Sequence, residues 1–221
     1  MKTVRIAYFS DVLCVWAYIA QLRIDAVKAA FGDKVAFEPR FCAVFGDTGS
    51  KIAAKWGGYE RFADHLLQAV EGFPEVRLSP DVWRTARPAS SLSPHLFLKG
   101  AGLAEAAGRW PPGKAEEVTQ GIRRAFFGEA RDIAAWDVQR EVAREHGADP
   151  SAVDHVIRSG AAFAALSADY QEADALHIVG SPSFVLNDGR QKLYGNVGYR
   201  IIEANVQELL REPNPDNASW C

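Results

Sequence analysis

Cys14 stands at the joint between an alternating apolar run, Val4 to Phe9, and a helix-like run that opens at Trp16. A thiol there lies beside unpaired backbone N–H groups and the positive end of a helix dipole, which favour thiolate and lower the thiol pKa. Nucleophilic attack on disulfides or on electrophiles is the chemistry this placement serves. The alternative is a small buried apolar filler, the commonest fate of an arbitrary cysteine. One helical turn on, where a second thiol would complete a redox pair, the chain has Ala17. Cys14 therefore cannot close a local disulfide, and what remains open is a monothiol route through a mixed disulfide.

Two further features belong to the same chemistry. In "VGSPSFV", Pro182 follows Gly180 and Ser181 and directly precedes a strand-like run. A cis bond at such a proline would present the backbone of the preceding residue to a ligand. Cys42 follows the second strand-like run. Parallel strands of a βαβ unit end at one sheet edge, so Cys42 is expected on the same side as Cys14. It is either a nonlocal resolving thiol or, as free cysteines usually are, a buried filler.

The elements that must position these residues are legible in outline. Val4 to Phe9 alternates and is rich in β-branched and aromatic residues, which predicts a strand. From Trp16 to Phe31 the polar residues Gln21, Asp25 and Lys28 form one solvent stripe, a mostly buried helix closed by Gly32. Val35 to Phe41 reads as a second strand, and Pro39, lacking an N–H, suits a sheet edge. Residues 50–176 show helical patterns and no strand candidate, with Asp149 as a cap and Pro150 in a first helical position. Ser183–Leu186 and Gln191–Tyr194 flank Asn187, Asp188 and Gly189, which predicts a hairpin. A last helix is expected over Tyr199–Arg211. The order implies an α/β thioredoxin-like domain from 1–49 and 177–212, a helical insertion at 50–176 and a frayed tail at 213–221.

Composition excludes several classes. The 221 residues are 48% hydrophobic and 24% charged with a net charge of −3, an ordinary globular balance without a basic footprint for nucleic acid or anionic lipid. No apolar run approaches the roughly 20 residues that cross a bilayer. The N-terminus has no apolar secretion segment, and three cysteines make no disulfide framework. The expected setting is the cytoplasm, with small-molecule thiols or electrophiles as partners and neither nucleic acid nor membrane. His65, His95, His146, His155 and His177 show no ligand pairing, so no metal site is argued. "GAGLAEAAG" lies inside a helical block and is rejected as a dinucleotide loop. The sequon at Asn217 would matter only in a secreted protein, and the insertion's tryptophans and phenylalanines are read mainly as core.

"SDVLCVWAY", "GSPSFVLNDG", "AFFGEARDIAAWDV" and the element order together resemble, over essentially the whole chain, one thioredoxin-fold group. It contains DsbA-type oxidoreductases, kappa-class glutathione transferases and 2-hydroxychromene-2-carboxylate isomerases. Asp11, Cys14, Trp16 and Tyr18 match the oxidoreductase motif Asp-x-x-Cys-Pro-Trp-Cys-Tyr, while Val15 and Ala17 depart from it. The transferase and isomerase branch has serine at the position of Cys14. The resemblance implies glutathione as cosubstrate, held by Asp11, Trp16, the Ser181–Pro182 backbone and, at the start of the last helix, Asn196 and Arg200. It implies a monothiol oxidoreductase or glutathione transferase acting through Cys14, with an isomerase of aromatic substrates as an alternative and a homodimer as a possible assembly. The rival from another class is a binding protein on a thioredoxin scaffold that has lost turnover.

Overall fold

A computed structural model describes residues 3–211 of the chain; the expected tail at 213–221, with Cys221 and Asn217, lies outside the described residues. The chain opens β1 (Val4–Ser10), α1 (Val15–Phe31), β2 (Val35–Phe41) and closes β3 (Ser183–Leu186), β4 (Gln191–Tyr194), α9 (Tyr199–Leu210). Between these halves run α2 (Thr48–Trp56), α3 (Tyr59–Val70), α4 (Leu92–Ala106), α5 (Lys114–Phe127), α6 (Trp136–Glu145), α7 (Pro150–Arg158) and α8 (Ala161–Ala175). The helical block thus begins at Thr48, two residues ahead of the expected 50.

The sheet runs in the order β2-β1-β3-β4, with β1 and β2 parallel and the other pairs antiparallel. β2 is an outer strand, which accommodates Pro39 without a lost ladder bond. Ser10 pairs with Phe41, so both parallel strands release the chain at one edge, and Cys14 and Cys42 follow from there. Gly32 closes α1 at φ 52, and Asn187 and Gly189 turn the hairpin at φ 51 and 99, left-handed values that glycine and asparagine adopt most readily. Asp149 caps α7 by accepting the Ser151 N–H, with Pro150 in the first turn as expected.

Three apolar clusters fix the layers. Ile6, Tyr8, Phe184 and Leu186 face Ile24 and Val27 of α1 and Ile202 and Val206 of α9. On the other face Phe9 and Val185 pack with Cys42 and with Ala173 of α8. The largest cluster joins Val12–Val15, Ala17 and Ile19 to the insertion, including Trp83, Phe97, Phe126 and Phe127. Each of these large side chains stabilises by about 1.5–3 kcal/mol on full burial, so the insertion is welded to the Cys14 loop by core packing. Among the described residues no helix is long and apolar enough to cross a membrane.

Candidate active site

Asp11 shapes the loop that carries Cys14. Its carboxylate accepts the Leu13 N–H at 2.9 Å, the Phe45 N–H at 2.7 Å and the Ser91 hydroxyl at 2.8 Å. Its carbonyl accepts the Cys14 N–H at 3.0 Å. Aspartate suits this place because a short carboxylate can satisfy its own turn and still reach neighbouring strands. The expected role of Asp11 as a ligand contact gives way to a positioning one, since the side chain is wholly buried and its oxygens are engaged. Burial pushes its carboxyl up to about 6, against the pull of the Phe45 and Leu13 amides, the Ser91 hydroxyl and the Lys51 ammonium.

Cys14 is the N-cap of α1, and its thiol donates to the Ser181 carbonyl at 3.1 Å. The Ser181–Pro182 bond is cis. The Ser181 hydroxyl accepts the Asp11 N–H at 2.8 Å, so the proline loop is tied to both ends of the cysteine loop. Gly195 N–H donates to the Pro182 carbonyl at 2.9 Å and tethers the segment leading to α9. Cys14, Asp11, Ser181 and Pro182 therefore meet in one place.

The expectation of a depressed Cys14 pKa is overturned. Burial pushes the thiol up, and the Ser181 contact and the helix-terminal amides of Ala17 and Trp16 only partly oppose it, with Asp11 adding to the rise. The thiol is only 6% exposed, and at that depth the loss of hydration outweighs the helix terminus.

Trp16 is half-buried and meets Phe73 edge to face, with ring centroids 6.4 Å apart. Asn196 and Arg200 are exposed, one in the turn after β4 and the other in the first turn of α9, and neither side chain makes a hydrogen bond or ion pair among the described residues. The Gly195–Pro182 hydrogen bond ties the segment ahead of them to the proline loop, and α9 packs on α1 through Ile202 and Val206.

Sequence reasoning missed His95. The Val12 N–H donates to its Nε2 at 3.1 Å, and its Nδ1 lies 3.0 Å from the Tyr170 hydroxyl. Burial drives the imidazole pKa down to about 3, with Arg123 adding to the effect, so the ring is neutral. A neutral ring that accepts at Nε2 carries its proton on Nδ1 and donates to Tyr170. No local pattern links Val12 to a residue 83 positions away.

A sheet edge that joins a helix-capping cysteine to a cis-proline loop, beneath a helical insertion, defines a thioredoxin-like protein. Residues 91–207, more than half of the chain, match the DSBA-like thioredoxin domain model, and the chain belongs to that family, whose members are thiol oxidoreductases. The match begins beyond Cys14, so the cysteine loop stands on its own geometry. No curated protein matches the sequence. Among solved structures, a probable DsbA oxidoreductase from Streptomyces coelicolor superposes with a TM-score of 0.73 at 22% identity, covering 96% of this chain and 92% of that one. The cytosolic disulfide reductase DsbM from Pseudomonas aeruginosa, solved with GSH, gives 0.67 at 20% over 92% and 99%. A 2-hydroxychromene-2-carboxylate isomerase gives 0.64 at 17% over 97% and 100%. At these identities the likeness is one of fold.

Proposed function

We propose that the protein is a glutathione-dependent monothiol oxidoreductase acting through Cys14 in the cytoplasm. The observation that carries this reading is a single thiol at the start of α1, in contact with the Ser181 carbonyl, with Ala17 one turn on. The Cys14 thiol gives up its proton to solvent as its sulfur attacks a disulfide R–S–S–G at the glutathione sulfur, forming the Cys14–glutathione disulfide and releasing R–S⁻, which takes up a proton. A second glutathione thiolate then attacks the glutathione sulfur of that adduct, releasing oxidised glutathione and the Cys14 sulfur, which is reprotonated. The second glutathione does the work that a local resolving cysteine would do.

The chain offers fitting contacts for glutathione. The Ser181 N–H has no partner among the described residues and can pair with an added extended backbone. α9 has no side-chain cap and no acidic residue in its first turn, and Arg200 lies there, which suits the γ-glutamyl carboxylate. The solved DsbM structure with GSH and the reductase's cytosolic description support the same reading.

One observation favours a second reading. Because burial keeps the Cys14 thiol protonated, its S–H can donate a hydrogen bond to the sulfur of bound glutathione. Cys14 would then orient that thiolate for attack on an electrophilic substrate, the transferase or isomerase mode. Intact-mass spectrometry after incubation with oxidised glutathione separates the two. The oxidoreductase reading expects one glutathione adduct on Cys14, absent from Cys14→Ser and discharged by reduced glutathione. Noncovalent binding of reduced glutathione without an adduct selects the second reading, and failure of both leaves a binding scaffold.

A further inference from the structure

Arg23 carries a guanidinium charge that meets no carboxylate among the described residues. It lies on α1 two helical turns past Trp16, about 10 Å along the same face, and Trp16 is next but one to the Cys14 cap. Side chains on a helix lean toward its N-terminus, which carries the guanidinium back toward Trp16. Phe73, in the segment after α3, spans the two. Its ring meets Trp16 edge to face with centroids 6.4 Å apart, and the Arg23 Cζ stands 5.4 Å from its centroid. Trp16, Arg23 and Phe73 are all part-exposed, so together they form a wall that solutes can reach beside the cysteine loop.

Other guanidinium groups that lie over rings in this fold also hold carboxylates. Arg87 over Tyr59 pairs with Glu60, and Arg140 over Trp136 pairs with Asp137 and Asp154. Arg23 over Phe73 has no ion pair and no hydrogen bond among the described residues, and its Nη1 is buried without a partner. Burial lowers its pKa. The ring face offsets part of that desolvation, and an anion on the rest of the fork would offset more. Its own helix face supplies none, since the positions one turn away are Ile19, Ala20, Ala26 and Val27. Glu71 and Glu75, on either side of Phe73, are exposed and pair with no cation among the described residues.

We propose that Arg23, with Trp16 and Phe73, is a specificity subsite for the group R of the disulfide R–S–S–G. It selects an R with an aromatic or apolar body and a carboxylate within about 10 Å of the reacting sulfur, the body lying along Trp16 and Phe73 and the carboxylate on the guanidinium fork. The subsite rests on the exchange reading of Cys14. Three disulfides probe it on the full chain in physiological chloride, where exposed charges farther apart than about 8 Å are screened. Dithiobis(nitrobenzoate) is aromatic and anionic, dithiodipyridine is aromatic and neutral, and cystamine is cationic. With each, the Cys14 sulfur bonds to one sulfur of the probe, the S–S bond breaks, the other half leaves as thiolate and the Cys14 proton passes to solvent. Peptide mass spectrometry follows modification of Cys14 against probe concentration. Arg23→Gln should raise the half-saturating concentration of dithiobis(nitrobenzoate) about tenfold with the limiting rate kept, the loss of one charge-assisted contact. Arg23→Lys should recover part of that loss, and dithiodipyridine should react within about twofold of wild type with both variants, which also shows that they are folded. Equal slowing of all three probes, no slowing of dithiobis(nitrobenzoate), or a preference of wild type for cystamine set by Glu71 and Glu75 overturns the subsite. A Cys14 that takes neither glutathione nor any probe overturns the exchange reading with it, whereas a loss confined to the anionic probe upholds the subsite even where glutathione forms no adduct.

Discussion

Cys14 and Cys42 direct their thiols at successive carbonyls of one loop, Cys14 at Ser181 across 3.1 Å and Cys42 at Gly180 across 3.9 Å. They nevertheless pack in different clusters, Cys14 with the insertion and Cys42 with Phe9, Val185 and Ala173. Burial, then the negative charge of Asp11, push the Cys42 thiol far up, which leaves almost no thiolate to attack an adduct on Cys14. Oxidised glutathione should therefore modify Cys14 and not Cys42, and Cys42→Ala should not alter the yield of the Cys14 adduct or its discharge by reduced glutathione. A Cys14–Cys42 peptide in a nonreducing digest would show instead that Cys42 is the resolving thiol.

Ala17 marks the step at which the exchange stops. It is fully buried in the first turn of α1, and its N–H donates to the Cys14 carbonyl at 3.1 Å. Ala17→Cys should let Cys14 close a local disulfide and expel glutathione, so oxidised glutathione would yield an internal disulfide in place of a stable adduct. Quantitative thiol counting with intact mass checks this. A persistent glutathione adduct on the variant would mean that the helix holds the introduced sulfur out of reach.

Much of this site was legible in the sequence wherever the determinant is local. Alternation from Val4 to Phe9 marks β1, Asn187 and Gly189 mark the hairpin, and the switch from strand to helix places Cys14 at an N-cap. What escaped depends on packing across the chain. The helix-terminal position of Cys14 implies a low pKa, but its desolvation comes from the insertion, whose contact with residues 12–19 no local pattern shows. Likewise Asp11 reads as a motif residue, while the partners that make it a brace, Phe45 and Ser91, come from distant segments.

The glycines of α4 look alike in "GAG" but should respond oppositely to alanine. A Cβ on Gly100 would fall 2.8 Å from Val153 Cγ1, at the crossing of α4 and α7. Gly100→Ala should therefore destabilise by about 1–3 kcal/mol through overpacking, less the gain of roughly 1 kcal/mol in helix propensity. Gly102 is exposed in the same helix with nothing within 4 Å of its Cβ position. Gly102→Ala should stabilise by about 0.5–1 kcal/mol. Urea denaturation of both variants checks the pair, and equal effects would contradict the close crossing.

Asp11 and His95 titrate against each other beneath the cysteine loop, with Asp11 Oδ1 3.7 Å from His95 Nε2. Asp11 has its folded pKa raised from 3.8 to about 6, so its contribution to stability is complete below 3.8 and is lost as pH rises through 6. His95 has its folded pKa lowered from 6.5 to about 3, so its contribution is complete above 6.5 and is lost as pH falls toward 3. Between roughly pH 4 and 6 the two slopes oppose each other, and the wild-type profile should be correspondingly flat in that window as far as this pair contributes. His95→Gln removes one slope. It should be less stable at neutral pH, because the Val12 N–H and the Tyr170 hydroxyl lose well-aligned partners, a loss of about 1–3 kcal/mol. The deficit should shrink as pH falls from 6.5 toward 3, because only the wild type must then protonate a buried ring or resist doing so. Urea denaturation of both proteins across that range measures the difference directly, and common contributions from surface carboxylates cancel in it. A deficit that stays constant with pH would mean that His95 is not held neutral by its burial.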